Sequence, residues 1–279
     1  MLSYRHAFHA GNHADVLKHY VLSIILDYFN QKTTPYTVVD THAGAGLYEL
    51  EGEFSQKNAE FETGIAKLIN VNNLPQSLAQ FVQIIQSFND ENRLDFYPGS
   101  PKIIQQFLRS TDKLRLFELH PNDYNLLANN FLPKNRQTII TLQDGFNGLK
   151  ACLPPLSKRG IVLIDPPYEV KDYYLRVVEC IKDNLSRFAT GTYCIWYPLL
   201  QRPEPVQMVE KLMGISAKWL RVELSIQAPN VNGYGMHGSG MFIINPPHIL
   251  PDLLDKTLPV LTKILELDNF GNSFIVSNI

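Results

Sequence analysis

Apolar positions recur along the chain with two spacings, and their order predicts helices and strands. Residues 13–30 carry an apolar stripe at helical spacing, with Asn12 as the N-cap. Helical patterns also occupy residues 121–131 and 172–188, and another helix is expected to start with Ser100 as its cap and Pro101 in its first position. Short apolar runs predict strands at 35–40, 113–119, 137–143, 160–165, 192–198, 219–227 and 240–247.

The order of these elements predicts one doubly wound α/β domain spanning residues 1–279. Strands alternate with helices through most of the chain, and a Gly-rich loop then joins the last two strands as a hairpin. This order is typical of a mostly parallel sheet, here of seven strands, with an antiparallel C-terminal edge. Residues 53–92 are helical in pattern without a clear strand, so we expect a helical insertion subdomain after the first strand.

The composition is that of an ordinary globular protein. The chain is 45% hydrophobic and 19% charged, with a formal net charge of −2. Its longest apolar helical stretch is interrupted by Ser23 and Asp27 and is too short to cross a bilayer, and the N-terminus lacks the apolar core of a signal peptide. We therefore expect a cytoplasmic protein that does not engage a membrane.

Potential metal ligands are scattered along the chain. The three cysteines are far apart and indicate neither a disulfide framework nor a zinc site. The spacing of His6, His9 and His13 fits one helical face, which is a possible metal site, but no acid or cysteine cluster accompanies them. We expect no metal.

The first twenty residues are the most evident candidate for a nucleic-acid contact. They contain half of the eight histidines together with Arg5 and Lys18, whereas the whole chain is slightly acidic, so any contact with phosphates must be local. Tyr4 and Phe8 add rings that can stack on bases. Residues 1–20 are therefore expected to form an aromatic and basic lid, with a frayed terminus as the alternative.

Four acidic residues directly end or follow predicted strands. They are Asp40, Glu118, Asp144 and Asp165. Open α/β sheets bind ligands beyond the carboxyl ends of their strands, so these side chains are candidates for one site. Each of them taken alone also fits a solvated loop acid or a helix cap.

The turn after the first strand favours a nucleoside ligand without a pyrophosphate. Gly44 and Gly46 allow close backbone approach, although an ordinary tight turn also explains them, and Glu49 stands where a dinucleotide fingerprint requires a third glycine. Glu118 can accept from both ribose hydroxyls and Asp144 from an adenine amino group. S-adenosylmethionine has these groups, and its positive charges suit an acidic pocket.

The sequence Asp-Pro-Pro-Tyr at 165–168 presents acceptors and a ring on a stiff turn. Each proline fixes φ and lacks an N–H, so the carboxylate of Asp165 and the carbonyl of Pro166 face a partner beside the ring of Tyr168, which we expect to be exposed. Two acceptors beside a ring suit an exocyclic amine such as adenine N6. Accepting its hydrogens orients the nitrogen lone pair towards an electrophilic methyl group.

Several motifs together resemble one known family. They are YRHAFHAGNHADVLKH, THAGAGLY, YPGSP, FELHP, QDGF, IDPPYE and GSGMFIINPP, which span residues 4–247. They are similar to the RlmJ family, the S-adenosylmethionine-dependent adenine-N6 methyltransferases of 23S ribosomal RNA. The resemblance implies a Rossmann-like class I methyltransferase fold. It also implies that the partner is large-subunit ribosomal RNA, either free or partly assembled, and that the protein acts as a monomer.

The resemblance also implies roles for individual residues. Asp165 is the implied catalytic acceptor and Tyr4 the residue that meets RNA, and the turn argument adds Pro166 and Tyr168 on the substrate side. The resemblance implies cofactor binding by Lys18, His19, His42, Ser100, Glu118, Asp144 and Gly145, and the turn residues Gly44 and Asp165 complete the expected cofactor-binding set.

Two other functions remain open from the sequence. One is a DNA adenine-N6 methyltransferase, which uses the same chemistry but needs a basic target-recognition region, and residues 53–92 mix lysines with several acids. The other is a non-catalytic RNA-binding module that retains the cofactor pocket. The intact turn at 165–168 argues against the second.

Overall fold

The computed structural model describes residues 9–50, 59–91, 93–233 and 235–279, and within these ranges it contains nine α-helices and ten strands. The helices are α1 (His13–Asn30), α2 (Ile65–Ile69), α3 (Gln76–Gln86), α4 (Ser100–Phe107), α5 (Pro121–Asn130), α6 (Gly145–Cys152), α7 (Asp172–Arg187), α8 (Pro203–Met213) and α9 (Leu250–Leu265). The strands are β1 (Thr37–Asp40), β2 (Leu47–Glu49), β3 (Phe96–Pro98), β4 (Lys113–Glu118), β5 (Thr138–Leu142), β6 (Gly160–Ile164), β7 (Thr192–Leu199), β8 (Trp219–Ser225), β9 (Gly238–Ile244) and β10 (Asn272–Ser277).

Eight of the described strands form one sheet in the order β10-β8-β9-β7-β6-β1-β4-β5. Strands β7, β6, β1, β4 and β5 pair in parallel, whereas β9, β8 and β10 pair antiparallel to their neighbours. The expected class, a mostly parallel α/β sheet with an antiparallel C-terminal edge, is confirmed. The expected number of seven strands is wrong, because residues 272–277 add β10 along β8.

Each face of the sheet is covered by its own hydrophobic cluster. Along β6, Ile161 and Leu163 pack into the cluster that contains α1, whereas Val162 and Ile164 pack into the cluster that contains α7. Successive side chains of a strand point to opposite faces, which explains why the whole of β6 is apolar. Helix α1 is buried on nearly all sides, as expected of a central helix that is apolar around most of its circumference.

The region expected to form a helical insertion lies between two short strands, β2 and β3, which pair with each other outside the main sheet. Its described part contains a 3-10 helix (Glu60–Thr63), α2 and α3, and no strand. The insertion therefore follows β2 rather than β1, a difference that arises because β2 and β3 are too short to stand out in the sequence. No helix in the described ranges is long and apolar enough to span a membrane.

Candidate active site

The carboxyl ends of β1, β4, β5 and β6 lie side by side and border a pocket. The space in and around the pocket, including its open mouth, amounts to about 890 Å³. All of the residues expected from the sequence to bind the cofactor line it, and we name it the cofactor pocket after that expectation. These residues are Lys18, His19, His42, Gly44, Ser100, Glu118, Asp144, Gly145 and Asp165.

Glu118 at the end of β4 is held by backbone groups on both of its oxygens. Its Oε2 accepts from the Gly44 N–H at 2.8 Å and its Oε1 from the His120 N–H at 2.7 Å. Gly44 has φ +60, and a Cβ there would lie 2.2 Å from the Tyr48 hydroxyl, so both its conformation and its surroundings require glycine. Burial raises the pKa of Glu118. The carboxylate is thereby fixed in one orientation and keeps further lone pairs for ligand hydroxyls.

Asp144 follows β5 and acts as the N-cap of α6. Its Oδ1 accepts from the Asn147 N–H at 3.2 Å, and its Oδ2 pairs with Arg176 at 2.8 Å. Burial opposes ionisation of Asp144, but the bonds from Arg176 and the cap prevail and lower its pKa. At the next residue, a Cβ on Gly145 would lie only 1.9 Å from the Thr41 carbonyl oxygen. The start of α6 therefore contacts the loop after β1 more closely than any other residue type allows.

His42 is a neutral aromatic member of the cofactor pocket. Burial lowers its pKa to about 4. Its ring lies edge-on to Phe146 at 5.0 Å and to Tyr173 at 6.4 Å between centroids. His42 and Tyr173 both line the pocket and form an aromatic wall that suits the flat base of a nucleoside. The ring of Phe146 packs against both of them without lining the pocket.

Asp40, the first of the four strand-end acids, supports the cofactor pocket without lining it. Its side chain is fully buried and accepts from the Ser100 hydroxyl at 2.7 Å and from the His42 N–H at 3.2 Å. Burial raises its pKa to about 6. The expected role of Ser100 as an N-cap is wrong, because Gly99 takes the cap position of α4 and the hydroxyl turns to Asp40 instead.

Lys18 and His19 bring α1 to the carboxyl ends of the strands. The Lys18 ammonium lies 2.5 Å from Oδ2 of Asp165 and 2.8 Å from Oδ1 of Asp15. These carboxylates outweigh the cost of burial and raise the pKa of Lys18 far above its ordinary value, so it is fully charged. Nδ1 of His19 lies 2.8 Å from the Tyr97 hydroxyl. The expected N-cap of α1 is confirmed, because Oδ1 of Asn12 accepts from the N–H groups of residues 14 and 15.

A second pocket meets the cofactor pocket at the turn after β6. Four residues line both: Lys18, Asp165, Pro166 and Pro167. The rest of the second pocket comes from the start of α1 and the residues before it, residues 168–169, the end of β7 with the residues up to Arg202, and residues 235–236. Its exposed surface is mainly apolar. The Asp165 side chain, 15% exposed, stands where the two spaces join. We call the second space the acceptor pocket, after the expectation from the sequence that Asp165 meets an acceptor amine.

Tyr168 does not present an exposed ring, and the expectation that it would is wrong. Its side chain is 5% exposed, its ring lies 4.5 Å from that of Tyr174, and its hydroxyl donates to the Trp196 carbonyl at 2.8 Å. The reason is that α7 and β7 both pack against the turn. Tyr168 borders the acceptor pocket from within the core, beside the more exposed Trp196.

The remaining residues of interest are those of the expected N-terminal lid and two site residues that the sequence analysis did not identify. Tyr4 and residues 1–8 of the expected lid lie outside the described residues. His9 forms an ion pair with Glu60 of the insertion at 2.9 Å, which raises the pKa of His9. Asp15 and Trp196 were not anticipated. Trp196 could have been found by applying the strand-end argument to β7, whereas the sequence carries no signal for Asp15 beyond its spacing of three from Lys18.

Comparisons with known proteins agree on one family. A family model described as "Ribosomal RNA large subunit methyltransferase D, RlmJ" matches residues 33–275. A relative from Escherichia coli (strain K12), named ribosomal RNA large subunit methyltransferase J, is 45% identical over 276 residues, which cover 99% of this chain and 98% of that protein. A relative with the same name from Haemophilus influenzae is 44% identical over 98% of this chain and 97% of its own length. A crystal structure of a Legionella pneumophila protein matches with a TM-score of 0.89 at 37% identity, covering 96% of this chain and 98% of that one.

Proposed function

The chain belongs to the RlmJ family of ribosomal RNA large-subunit methyltransferases, and we propose that it methylates the N6 amino group of an adenine in 23S ribosomal RNA. It is an S-adenosylmethionine-dependent enzyme, and we assign its cofactor to the cofactor pocket. The observation that supports an amino group as the methyl acceptor is that the two pockets meet at Asp165, Pro166 and Pro167. One carboxylate and a stiff turn therefore lie between the space for the methyl donor and the space for the acceptor.

The residues of the cofactor pocket fit S-adenosylmethionine. Glu118 is fixed by two backbone N–H groups and is oriented to accept ribose hydroxyls. His42 is neutral, and with Tyr173 it provides an aromatic wall for the adenine. S-adenosylmethionine, when bound, supplies an electrophilic methyl group on a positively charged sulfur.

Asp165 is the group proposed to act on the acceptor amine. Lys18 engages its Oδ2, so we assign Oδ1 to an N–H of adenine N6. The carbonyl of Pro166 is assigned to the second hydrogen, because this residue borders both pockets. Two acceptors fix the direction of the amine lone pair and stabilise the positive charge that develops on nitrogen, and Asp165 receives the proton after attack.

The substrate is proposed to be free or partly assembled ribosomal RNA, bound by a monomer of this chain. A base reaches the acceptor pocket only after leaving its stack, which costs a few kcal/mol and is least costly in a loosely structured strand. Tyr4 is proposed to contact the RNA. A net charge of −2 agrees with recognition through a local surface rather than through a broadly basic face.

The proposal is tested by the identity of the methylated product. Ribosomal RNA from a strain that lacks this protein is incubated with the enzyme and labelled S-adenosylmethionine, then digested to nucleosides for mass spectrometry. We expect the label in N6-methyladenosine from the large subunit. Label in another nucleoside contradicts the N6 assignment, and preferential label in duplex DNA favours the DNA methyltransferase alternative. Cofactor binding without transfer to any nucleic acid favours the non-catalytic module.

A further inference from the structure

A buried ammonium joins two carboxylates at the junction of the two pockets. Asp15 lies in the first turn of α1, 2% exposed, and its Oδ1 is 2.8 Å from the Lys18 ammonium. The same ammonium is 2.5 Å from Oδ2 of Asp165. Lys18 thus bridges the two acids, and the three side chains have little access to water.

The position of Asp15 is fixed from its other side. Its Oδ2 accepts from the Gly11 N–H at 3.0 Å. Gly11 has φ +76, and its carbonyl accepts from the Ile65 N–H of the insertion at 2.8 Å. Asp15 is therefore anchored by a constrained turn, and it also borders the acceptor pocket.

The charge of Asp15 determines whether the junction is neutral or negative. A Lys18–Asp165 pair alone is neutral, whereas Asp15, Lys18 and Asp165 together carry one net negative charge. The proposed attack develops positive charge on the amine, next to a sulfonium that is already positive. A buried neutral pair stabilises such charge weakly, and a nearby carboxylate in a poorly solvated site stabilises it strongly.

We propose that Asp15 is a positioning residue that acts through Lys18. It draws the ammonium towards α1 and leaves the junction with a net negative charge for the cationic cofactor and the reacting amine. This inference rests on the proposed function, because it assigns the sulfonium to the cofactor pocket and the amine to the acceptor pocket.

The first experiment removes the charge of Asp15 while keeping its shape. In Asp15→Asn we expect the single-turnover rate of methyl transfer to fall by about tenfold, as for the loss of one charge near a developing cation, with little change in KM for RNA. Asp15→Glu restores the charge and should recover much of the rate. The matched control is Asp112→Asn, because Asp112 is also buried, pairs with a basic residue three positions away, and lies outside both pockets.

A second measurement requires no turnover. S-adenosylmethionine carries the sulfonium charge and S-adenosylhomocysteine does not, so the ratio of their dissociation constants, measured by calorimetry, reports the charge of the junction. We expect Asp15→Asn to weaken the preference for the charged cofactor several-fold relative to the wild type. Asp112→Asn should leave the ratio unchanged.

A double substitution tests whether Asp15 acts through Lys18. Lys18→Met removes the positive charge that Asp15 offsets, and Asp165 then keeps the junction negative even without Asp15. In this background Asp15→Asn should therefore cause a clearly smaller loss of rate and of cofactor preference than it does when Lys18 is present. An equal loss in both backgrounds overturns the inference, and so does Asp15→Asn with wild-type rate and cofactor ratio. If the wild type itself binds neither cofactor, the proposed function fails, which is a different result from a normal wild type with an inert Asp15.

Discussion

The Lys18 ammonium lies 2.5 Å from the Asp165 carboxylate, although 147 positions separate the two residues. This contact joins helix α1 to the turn after the central strand β6. It also marks the boundary between the cofactor pocket and the acceptor pocket. Helix α1 is therefore part of the site, because its Lys18 contacts the turn that carries Asp165.

Gly145→Ala should weaken cofactor binding. A Cβ at this position would lie 1.9 Å from the Thr41 carbonyl oxygen, so α6 must shift away from the loop after β1. We expect the dissociation constant of S-adenosylmethionine to rise at least about tenfold, the equivalent of about 1.4 kcal/mol. The control is Gly214→Ala at the end of α8, where the nearest atom to a Cβ is 3.6 Å away. Equal affinity of both variants in calorimetry would show that the close approach does not shape the pocket.

Substitutions at Tyr168 should act mainly on stability. Tyr168→Phe removes the hydrogen bond to the Trp196 carbonyl and should lower the free energy of unfolding by about 1–3 kcal/mol. Tyr168→Ala leaves a cavity beside Tyr174 and should cost about 3–5 kcal/mol. Urea denaturation measures both, and the Phe variant should retain methyl transfer. An Ala variant as stable as the wild type that binds RNA poorly would instead assign the ring directly to the substrate.

The stability of the protein should fall on mild acidification partly because of His13. Burial lowers its pKa to about 4, helped by His237 and opposed by Glu60 and Asp15. Between pH 6.5 and 4 the unfolded chain binds a proton at His13 that the folded chain does not, so folding free energy is lost as the pH falls. From pH 7.5 to 5.5 this loss is about 1.4 kcal/mol.

His13→Gln removes that contribution. Urea denaturation at pH 7.5 and 5.5 should show a smaller loss of unfolding free energy in the variant than in the wild type. His42 has a similarly lowered pKa, but it is present in both proteins and its effect cancels. The same loss in both proteins would contradict the prediction.

The strand-end argument predicted a large part of the site because it depends only on topology. Parallel strands bring their carboxyl ends to one edge, so Glu118, Asp144 and Asp165 were expected to meet, and all three line the cofactor pocket. The same argument predicted that Asp40 lies at this edge. It did not predict that Asp40 is buried behind Ser100 and His42, because this burial depends on how α4 packs against β1.

Features that depend on packing between distant elements were not predictable. Tyr168 is buried because Tyr174 and the Trp196 backbone close over it, and neither contact has a signature in the turn itself. In the sequence, Asp15 and Lys18 are an ordinary pair on a helix. Their contact with Asp165 could not be predicted, because it depends on where α1 packs in three dimensions. Strand β10 was missed because its side chains are largely exposed and its pairing with β8 is not local.

The most direct test of the site is the single-turnover rate of methyl transfer to 23S ribosomal RNA by Asp165→Asn. The neutral side chain keeps the shape of the turn but loses the carboxylate that we propose accepts from N6 and receives its proton. We expect the rate to fall at least about a hundredfold, the usual effect of removing one preorganised group that stabilises charge, while S-adenosylmethionine still binds and Asp112→Asn reacts normally. Transfer at the wild-type rate by Asp165→Asn would contradict the assignment of this carboxylate and with it the proposed chemistry.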